Sequence, residues 1–223
     1  MSSARRPAFE RLAGDDRLTT AILSDSLDTA GFREQVLQHR LAPIVPGSRI
    51  LGRAWTVEFS PSTADTPADP YGAAIDYISA IRPGEIAVIA TAESNASAFW
   101  GELFSAAALG AGAAGVVTDG NLRDTDKIAG LGFPAFSRSR RPIDYRMRMR
   151  VSAVGAEVSL GGVRISPGDL VMADDDGVVV VPRECEDEVL RRARERAEGE
   201  STVLSELLAG DTLRQVWDRH GIL

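Results

Sequence analysis

The sequence predicts an α/β fold in which residues 1–223 form one domain, with a helical extension at about 183–223. A helical segment lies between two apolar runs, Ile86–Ala90 and Val116–Thr118, which is typical of a β-α-β unit. Four short β-rich runs follow, and charged helical segments end the chain. The apolar fraction of 44% and the charged fraction of 26% are those of an ordinary globular domain.

The first part of the chain alternates helix and strand. Apolar residues at helical spacing predict a helix over 18–31, with Thr19 or Thr20 as N-cap. Residues 49–59 read as a strand. A loop rich in Pro, Asp, Ser and Thr follows at 60–72, long enough for a lid or a subunit contact.

The central part carries the predicted β-α-β unit. A short helix at 73–81 precedes the first strand, a polar loop at 91–99 follows that strand, and the crossover helix runs over Trp100–Leu109. Strands joined in this way are parallel. We expect Asp119-Gly120 to turn the backbone after the second strand.

This topology predicts a binding site beside Arg123 and Asp124. Both residues follow the carboxyl end of a strand, where open α/β sheets bind ligands. The backbone N–H groups around Gly101–Phe104, at the start of the crossover helix, lie at the same edge and can bind an anion. Asp124 is also a natural N-cap for a helix over 125–131, so a purely structural role stays open for it.

The glycines of this region do not form a nucleotide site. Gly110, Gly112 and Gly115 match G-x-G-x-x-G, but they follow a helix and lead into a strand. The dinucleotide fingerprint has the reverse order. Tight turning and close helix–sheet packing explain them better.

The last third changes to β-structure and then to helix. Strands are predicted at 154–160, 163–165, 170–173 and 178–181, with an Asp-Gly hairpin between the last two. A charged helix over 182–199 continues to Ala209, Gly210 ends it, and Asp211 begins a last helix.

Composition excludes several classes of function. The net charge of −7 disfavours nucleic-acid binding, and we interpret the alternating Arg146, Arg148 and Arg150 as the outer face of a strand. No apolar run could span a bilayer and residues 1–11 lack a signal-peptide core, so a cytoplasmic location and no membrane partner are expected.

Metal and nucleophile chemistry is also restricted. His39 and His220 are the two histidines, which is too few for a histidine-ligated metal cluster. The single lysine, Lys127, is expected to point to solvent, and the single cysteine, Cys185, to be a bystander. Any metal should therefore be a hard ion, Mg²⁺ or Mn²⁺, held by carboxylates and water.

Several motifs together resemble the RraA-like proteins over nearly the whole chain. This family includes the regulator of ribonuclease E activity A and the 4-hydroxy-4-methyl-2-oxoglutarate aldolases. The resemblance rests on L-S-D-S-L-D from Leu23, W-G-E-L-F from Trp100, G-A-A-G-V-V-T-D-G-N-L-R-D from Gly112, G-F-P from Gly132, P-G-D-L-V-M-A-D-D-D-G-V-V-V-V-P from Pro167 and T-L-R-Q-V-W from Thr212.

The resemblance implies a fold of the swivelling β/β/α type, an αββα sandwich, assembled as a homotrimer or hexamer with the site between subunits. It implies that Asp124 binds the divalent metal and that Arg123 holds the pyruvyl part of the substrate, with Gly101, Glu102, Leu103 and Phe104 also binding substrate. Glu102, where aldolases usually carry Asp, would support the metal through water. Glu200 of the neighbouring subunit, or Glu198 in its place, would do the same.

The resemblance implies two alternative functions. The first is a metal-dependent class II pyruvate aldolase that cleaves 4-hydroxy-4-methyl-2-oxoglutarate-type 2-oxo acids and decarboxylates oxaloacetate, with Arg123, Asp124 and Glu102 as catalytic residues. The second is a non-catalytic regulator that binds ribonuclease E or another protein partner.

Overall fold

The computed structural model describes residues 15–62 and 69–223, and it confirms the mixed α/β fold. The helices are α1 (Thr20–Thr29), α2 (Gly72–Ser79), α3 (Glu102–Gly110), α4 (Thr125–Gly130), α5 (Glu186–Leu208) and α6 (Leu213–His220). The strands are β1 (Ala42–Pro43), β2 (Ile50–Pro61), β3 (Glu85–Ala90), β4 (Ala98–Trp100), β5 (Gly115–Leu122), β6 (Ala135–Arg140), β7 (Met149–Val154), β8 (Val158–Leu160), β9 (Val163–Ile165), β10 (Leu170–Ala173) and β11 (Val178–Val181).

One mixed sheet organises these elements. Its order is β1-β6-β5-β3-β2-β10-β11, with β4 also paired to β5 and β7 to β2. The central strands β2, β3, β5 and β6 are parallel to one another, whereas β1, β7, β10 and β11 pair antiparallel. The hairpin β8-β9 forms a second, two-stranded sheet.

Apolar side chains pack on both faces of the main sheet. Side chains of α2, α3 and α4 cover one face, and β8 and β9 contribute to the core on the other face. Helices α1 and α5 pack together over β10 and β11. The buried strands carry continuous β-branched runs, as in Val178–Val181, because neither of their faces meets water.

The predicted β-α-β unit is confirmed. Strands β3 and β5 are parallel and in register from Ile86 with Gly115 to Ile89 with Thr118, and α3 lies between them in the chain. Their carboxyl ends therefore meet at one edge of the sheet. This edge receives Arg123 and Asp124, as the sequence predicted.

The turn predicted at Asp119-Gly120 is wrong. Strand β5 continues through both residues to Leu122, and all of its side chains are buried. A Cβ on Gly120 would lie 2.6 Å from the Phe99 ring, so Gly120 is needed here for close packing and not for a turn. The loop predicted at 91–99 is also interrupted, because β4 begins at Ala98.

Two other strand predictions need correction. The basic strand predicted over Arg146–Arg150 begins only at Met149, because residues 146–148 form a turn in which Met147 has φ 70°. The strand predicted at 154–160 is two strands, β7 and β8, separated by a turn at Gly155 with φ 66°. Strand β2 reaches Pro61, so the loop predicted at 60–72 does not begin at residue 60, and residues 63–68 of that prediction lie outside the described part of the chain.

Helix ends follow local capping chemistry. Thr19 accepts a hydrogen bond from Ile22 N and caps α1, as predicted. The cap predicted at Asp211 is wrong, because Thr212 and Gln215 form a reciprocal capping box at the start of α6. Asp211 instead forms an ion pair with Arg219.

The structure bears on two further predictions, on membrane-spanning segments and on Cys185. None of the helices in the described part of the chain is long and apolar enough to cross a bilayer. Cys185 is buried, and burial raises the pKa of its thiol to about 11, which suits the bystander role. The signal-peptide expectation for residues 1–11 lies outside the described residues.

Candidate functional site

A cavity of about 470 Å³ opens at the carboxyl edge of the parallel strands. Its size is in the range of sites for small molecules. Four charged side chains line it, namely Glu102, Arg123, Asp124 and Lys127. The rest of the wall is mainly apolar and includes five aromatic residues: Tyr71, Phe99, Trp100, Phe104 and Tyr145.

Arg123 is held against the start of α3. Its backbone N–H donates to Trp100 O at 3.0 Å, which joins the end of β5 to β4. Its guanidinium donates to Asp144 Oδ2 at 3.1 Å, and its Nε lies 3.6 Å from Asp124 Oδ2. The side chain is 38% exposed. The guanidinium is thus oriented by two carboxylates and still accessible from the cavity.

Asp124 does not cap α4 with its side chain. It occupies the N-cap position but makes no side-chain capping bond, and its φ of 54° is left-handed. The structural alternative for this residue is therefore not supported. Its carboxylate is 42% exposed and faces the cavity wall formed by Gly101 and Arg123. Left-handed backbone at a non-glycine residue is a feature often found at functional sites.

Gly101 allows the two chain segments to approach closely. A Cβ built on Gly101 would lie 2.9 Å from Asp124 Oδ2 and 3.1 Å from Arg123 Cγ. Gly101 is the N-cap of α3 and brings no capping side chain. The N–H groups of the first helical turn, from Glu102 to Phe104, have no intrahelical acceptor and so remain a site for an anion.

The substitution Gly101→Ala tests this close approach. The backbone φ of −157° suits alanine, so the free energy of unfolding should change by less than about 1 kcal/mol. The added methyl group should displace the Asp124 carboxylate and lower kcat/KM for the reaction proposed below by about tenfold or more. Thermal unfolding and steady-state kinetics measure the two effects. A large fall in the free energy of unfolding alongside the loss of activity would contradict a role of Gly101 that is confined to the site.

Glu102 is paired with Lys127 across the cavity mouth. Lys127 Nζ lies 2.8 Å from Glu102 Oε2, and this hydrogen bond raises the pKa of Lys127. Lys127 is 64% exposed, so the expectation that it points to solvent holds only in part. The negative charge of Glu102 is therefore already balanced in part by a cation of its own chain.

The donor set suits a hard cation that is bound by few protein ligands. Among residues 15–62 and 69–223, no three His, Cys, Asp or Glu side chains form a metal-binding group. Asp124 offers an accessible carboxylate, and Mg²⁺ characteristically uses one or two carboxylates together with water and substrate oxygens. Glu200 lies on α5 and is paired with Arg196 at 2.8 Å in its own chain. Glu198 lies two residues nearer the start of the same helix.

Sequence reasoning missed Asp144, Tyr71 and Tyr145. Asp144 accepts hydrogen bonds from Tyr71 Oη at 2.6 Å, from Arg146 N at 2.8 Å and from Arg123. Burial raises the pKa of Asp144, but these hydrogen bonds and the Arg123 charge outweigh it, so the pKa is lowered overall. The carboxylate therefore stays ionised at neutral pH and keeps its hold on Arg123. The available signal was position, since Asp144 follows β6, the parallel neighbour of β5.

A family model described as RraA-like, Aldolase/RraA, matches residues 20–180. A Halalkalibacterium halodurans protein provisionally named as a 4-hydroxy-4-methyl-2-oxoglutarate aldolase is 30% identical over 179 residues, which is 80% of each chain. Protein DlpA of Legionella pneumophila is 28% identical over 196 residues. This match covers 88% of the present chain, which spans only 31% of the length of DlpA.

A solved structure gives the same fold. RraAS2 of Streptomyces coelicolor, described as an unusual member of the RNase ES inhibitor RraA protein family, superposes with a TM-score of 0.77 at 28% identity. The superposition covers 90% of this chain and 98% of RraAS2. Similar proteins therefore carry names from two classes of function, a lyase and an inhibitor of an RNA-processing enzyme.

Proposed function

The chain belongs to the RraA-like family, and within it we propose that this protein is a divalent-metal-dependent carbon–carbon lyase. The substrates are 2-oxo acids of the 4-hydroxy-4-methyl-2-oxoglutarate type, with decarboxylation of oxaloacetate as a second activity. The observation that carries the proposal is the meeting of Arg123, Asp124 and the start of α3 in one cavity.

Different polar groups of the cavity bind different parts of the substrate. The Arg123 guanidinium, oriented by Asp144, binds the pyruvyl part of the 2-oxo acid. The N–H groups at the start of α3 bind its carboxylate. Cleavage leaves the bonding electron pair on the pyruvyl fragment as an enolate, and the Arg123 charge stabilises this negative charge as it develops.

Mg²⁺ or Mn²⁺ bound at Asp124 would polarise the 2-oxo group and add to this charge stabilisation. We propose that Glu102 and Glu200 of a neighbouring subunit support the ion through water, in a homotrimer or hexamer. The accessible carboxylate of Asp124 supports the first assignment. Glu102 and Glu200 are paired with Lys127 and Arg196. These ion pairs would have to rearrange, or be shared, before the two glutamates could support the ion.

Removing the metal tests this function. The rate of oxaloacetate decarboxylation, monitored by coupling pyruvate release to lactate dehydrogenase, should fall to the non-enzymatic rate in EDTA. Excess Mg²⁺ or Mn²⁺ should restore it, because the proposed site depends on a hard cation for charge stabilisation. Pyruvate release at the same rate in EDTA would contradict the proposed chemistry.

The regulator function is the second candidate, and the name of RraAS2 together with the Glu102–Lys127 pair favours it. An inhibitor needs no metal, and a Glu102 carboxylate that is already paired with Lys127 is compatible with that. The assay is cleavage of a fluorogenic RNA by ribonuclease E with the protein added. Inhibition without any pyruvate release would establish this function in place of the lyase.

A further inference from the structure

The cavity contains one polar group that its own chain leaves unused. Tyr145 lines the cavity, is only 4% exposed, and its hydroxyl has no hydrogen-bond partner in the part of the chain that the structure describes. Burial raises the pKa of this hydroxyl, so it stays protonated and able to donate. A buried hydroxyl without a partner is destabilising, which indicates that a ligand accepts its hydrogen bond.

The neighbouring tyrosine is different. The Tyr71 ring packs edge to face on Tyr145 with centroids 5.6 Å apart, but its hydroxyl donates to Asp144. Tyr71 therefore belongs to the network that orients Arg123. Tyr145 packs edge to face on Phe59 as well, at 5.1 Å, so its ring position is fixed without help from its hydroxyl.

The wall around these tyrosines is apolar. Trp100 packs edge to face on Phe104 at 5.7 Å, and its indole N–H donates to Ser105 Oγ, so it presents no free donor to the cavity. Phe99 and Ile75 complete this part of the lining. A second carboxylate placed there would lose its hydration, and the two cations that line the cavity, Arg123 and Lys127, are already paired with carboxylates of the chain, whereas an apolar group would gain contacts.

We propose that this aromatic part of the cavity binds an apolar substituent on C4 of the substrate, and that Tyr145 donates its hydrogen bond to the C4 oxygen. The substrate class is then a 4-hydroxy-2-oxo acid with an aryl or branched alkyl group in place of a second carboxylate. This inference rests on the proposed lyase function and changes the preferred C4 substituent of its 4-hydroxy-2-oxo acid substrate from a carboxylate-bearing group to an apolar one.

The reaction balances without a further reactant. The C3–C4 bond breaks, its electron pair stays on C3 as pyruvate enolate, and the C4 hydroxyl passes its proton to water as it becomes a carbonyl. Protonation of C3 by solvent then gives pyruvate, and the other product is an aryl aldehyde or ketone. The Tyr145 hydrogen bond is present to the hydroxyl oxygen and to the carbonyl oxygen that replaces it.

Two substrates decide the preference. 4-Hydroxy-2-oxo-4-phenylbutanoate should be cleaved with kcat/KM at least about tenfold above that for 4-hydroxy-4-methyl-2-oxoglutarate. A preference for the dicarboxylate would overturn the inference and leave the lyase function intact.

The substitution Tyr145→Phe tests the hydrogen bond. It should lower kcat/KM for the phenyl substrate about five- to tenfold, which is the usual effect of one hydrogen bond. The affinity for pyruvate, measured by calorimetry, should fall by less than this, because pyruvate has no C4 oxygen to accept the hydrogen bond. The melting temperature should stay the same or rise, since an unpaired buried hydroxyl is removed. Tyr71→Phe is the matched comparison and should weaken both cleavage of the phenyl substrate and pyruvate binding through Arg123. Equal losses for the phenyl substrate and for pyruvate in Tyr145→Phe, or a fall in its melting temperature, would contradict the assignment.

A binding measurement keeps this test separate from activity. By calorimetry with Mg²⁺ present, 2,4-dioxo-4-phenylbutanoate should bind at least about tenfold more tightly than 2,4-dioxopentanedioate, and Tyr145→Phe should weaken the phenyl compound about five- to tenfold. This result without any pyruvate release would reject the lyase while keeping the apolar subsite. Tighter binding of the diacid would reject the subsite.

Discussion

Asp124→Asn is expected to lower metal-dependent pyruvate release from oxaloacetate by about 100- to 1,000-fold, the usual effect of losing one preorganised charge contact at a reacting centre. The carboxylate is accessible from the cavity and is not used to cap α4, so its charge is available to a cation. Asparagine accepts the left-handed backbone at this position as readily as aspartate does. The fold should therefore be retained, and the loss should appear in kcat and in metal affinity.

Asp126→Asn is the matched control. Asp126 lies two residues further on, in the first turn of α4, and is exposed. This variant removes the same charge from an exposed residue that does not line the cavity, so activity should stay within about twofold. Wild-type rates in Asp124→Asn, measured with saturating Mg²⁺ by the coupled pyruvate assay, would reject Asp124 as the metal ligand.

The part of the site that was predictable from sequence follows from chain direction. Parallel strands joined by a helix bring their carboxyl ends together, so the position of Arg123 beside the start of α3 could be inferred from local pattern alone. Gly101 fits the same logic, although its need for close approach to Asp124 is visible only in three dimensions. Residue types and strand order were sufficient for this half of the site.

The other half depends on contacts between distant segments. Asp144 reaches Arg123 from the segment after β6, and Tyr71 reaches Asp144 from the residue before α2. Lys127 meets Glu102 because α3 and α4 pack together. No local pattern encodes these pairings, which arise from the order of strands in the sheet. Longer-range sheet order was not derivable from periodicity.

The error at Asp119 has a specific cause. Asp-Gly is a common turn pair, but here burial and hydrogen bonding override this local preference. Asp119 Oδ1 accepts from Thr91 N at 2.7 Å and from Thr91 Oγ1 at 2.8 Å, and Oδ2 accepts from Glu93 N at 3.0 Å. Burial raises the pKa of Asp119, against the lowering effect of these donors. The side chain thus fixes the turn that follows β3.

That turn is strained, because Ala92 and Glu93 both have positive φ, at 51° and 57°. Two consecutive non-glycine residues in this region cost on the order of 2–4 kcal/mol, and such strain persists only where other contacts oppose it. The carboxylate of Asp119 supplies those contacts. We therefore expect this buried residue to matter more for stability than any of the exposed acids.

Asp119→Ala should lower the free energy of unfolding by about 4 kcal/mol, because three donors lose their acceptor and the strained turn loses its support. For a domain of this size the melting temperature should fall by roughly 8–16 °C. Asp119→Asn keeps one oxygen for Thr91 but turns an amide toward Glu93 N, so its loss of stability should be about half as large.

Asp76→Ala, at an exposed position on α2, is the control and should change stability by less than about 0.5 kcal/mol. If denaturant unfolding placed the alanine and asparagine variants of Asp119 level with that control, the carboxylate would not be what holds the turn. A loss of stability that decreases from Asp119→Ala to Asp119→Asn to Asp76→Ala would show that the Asp119 carboxylate, which lies on β5, opposes the strain at Ala92 and Glu93.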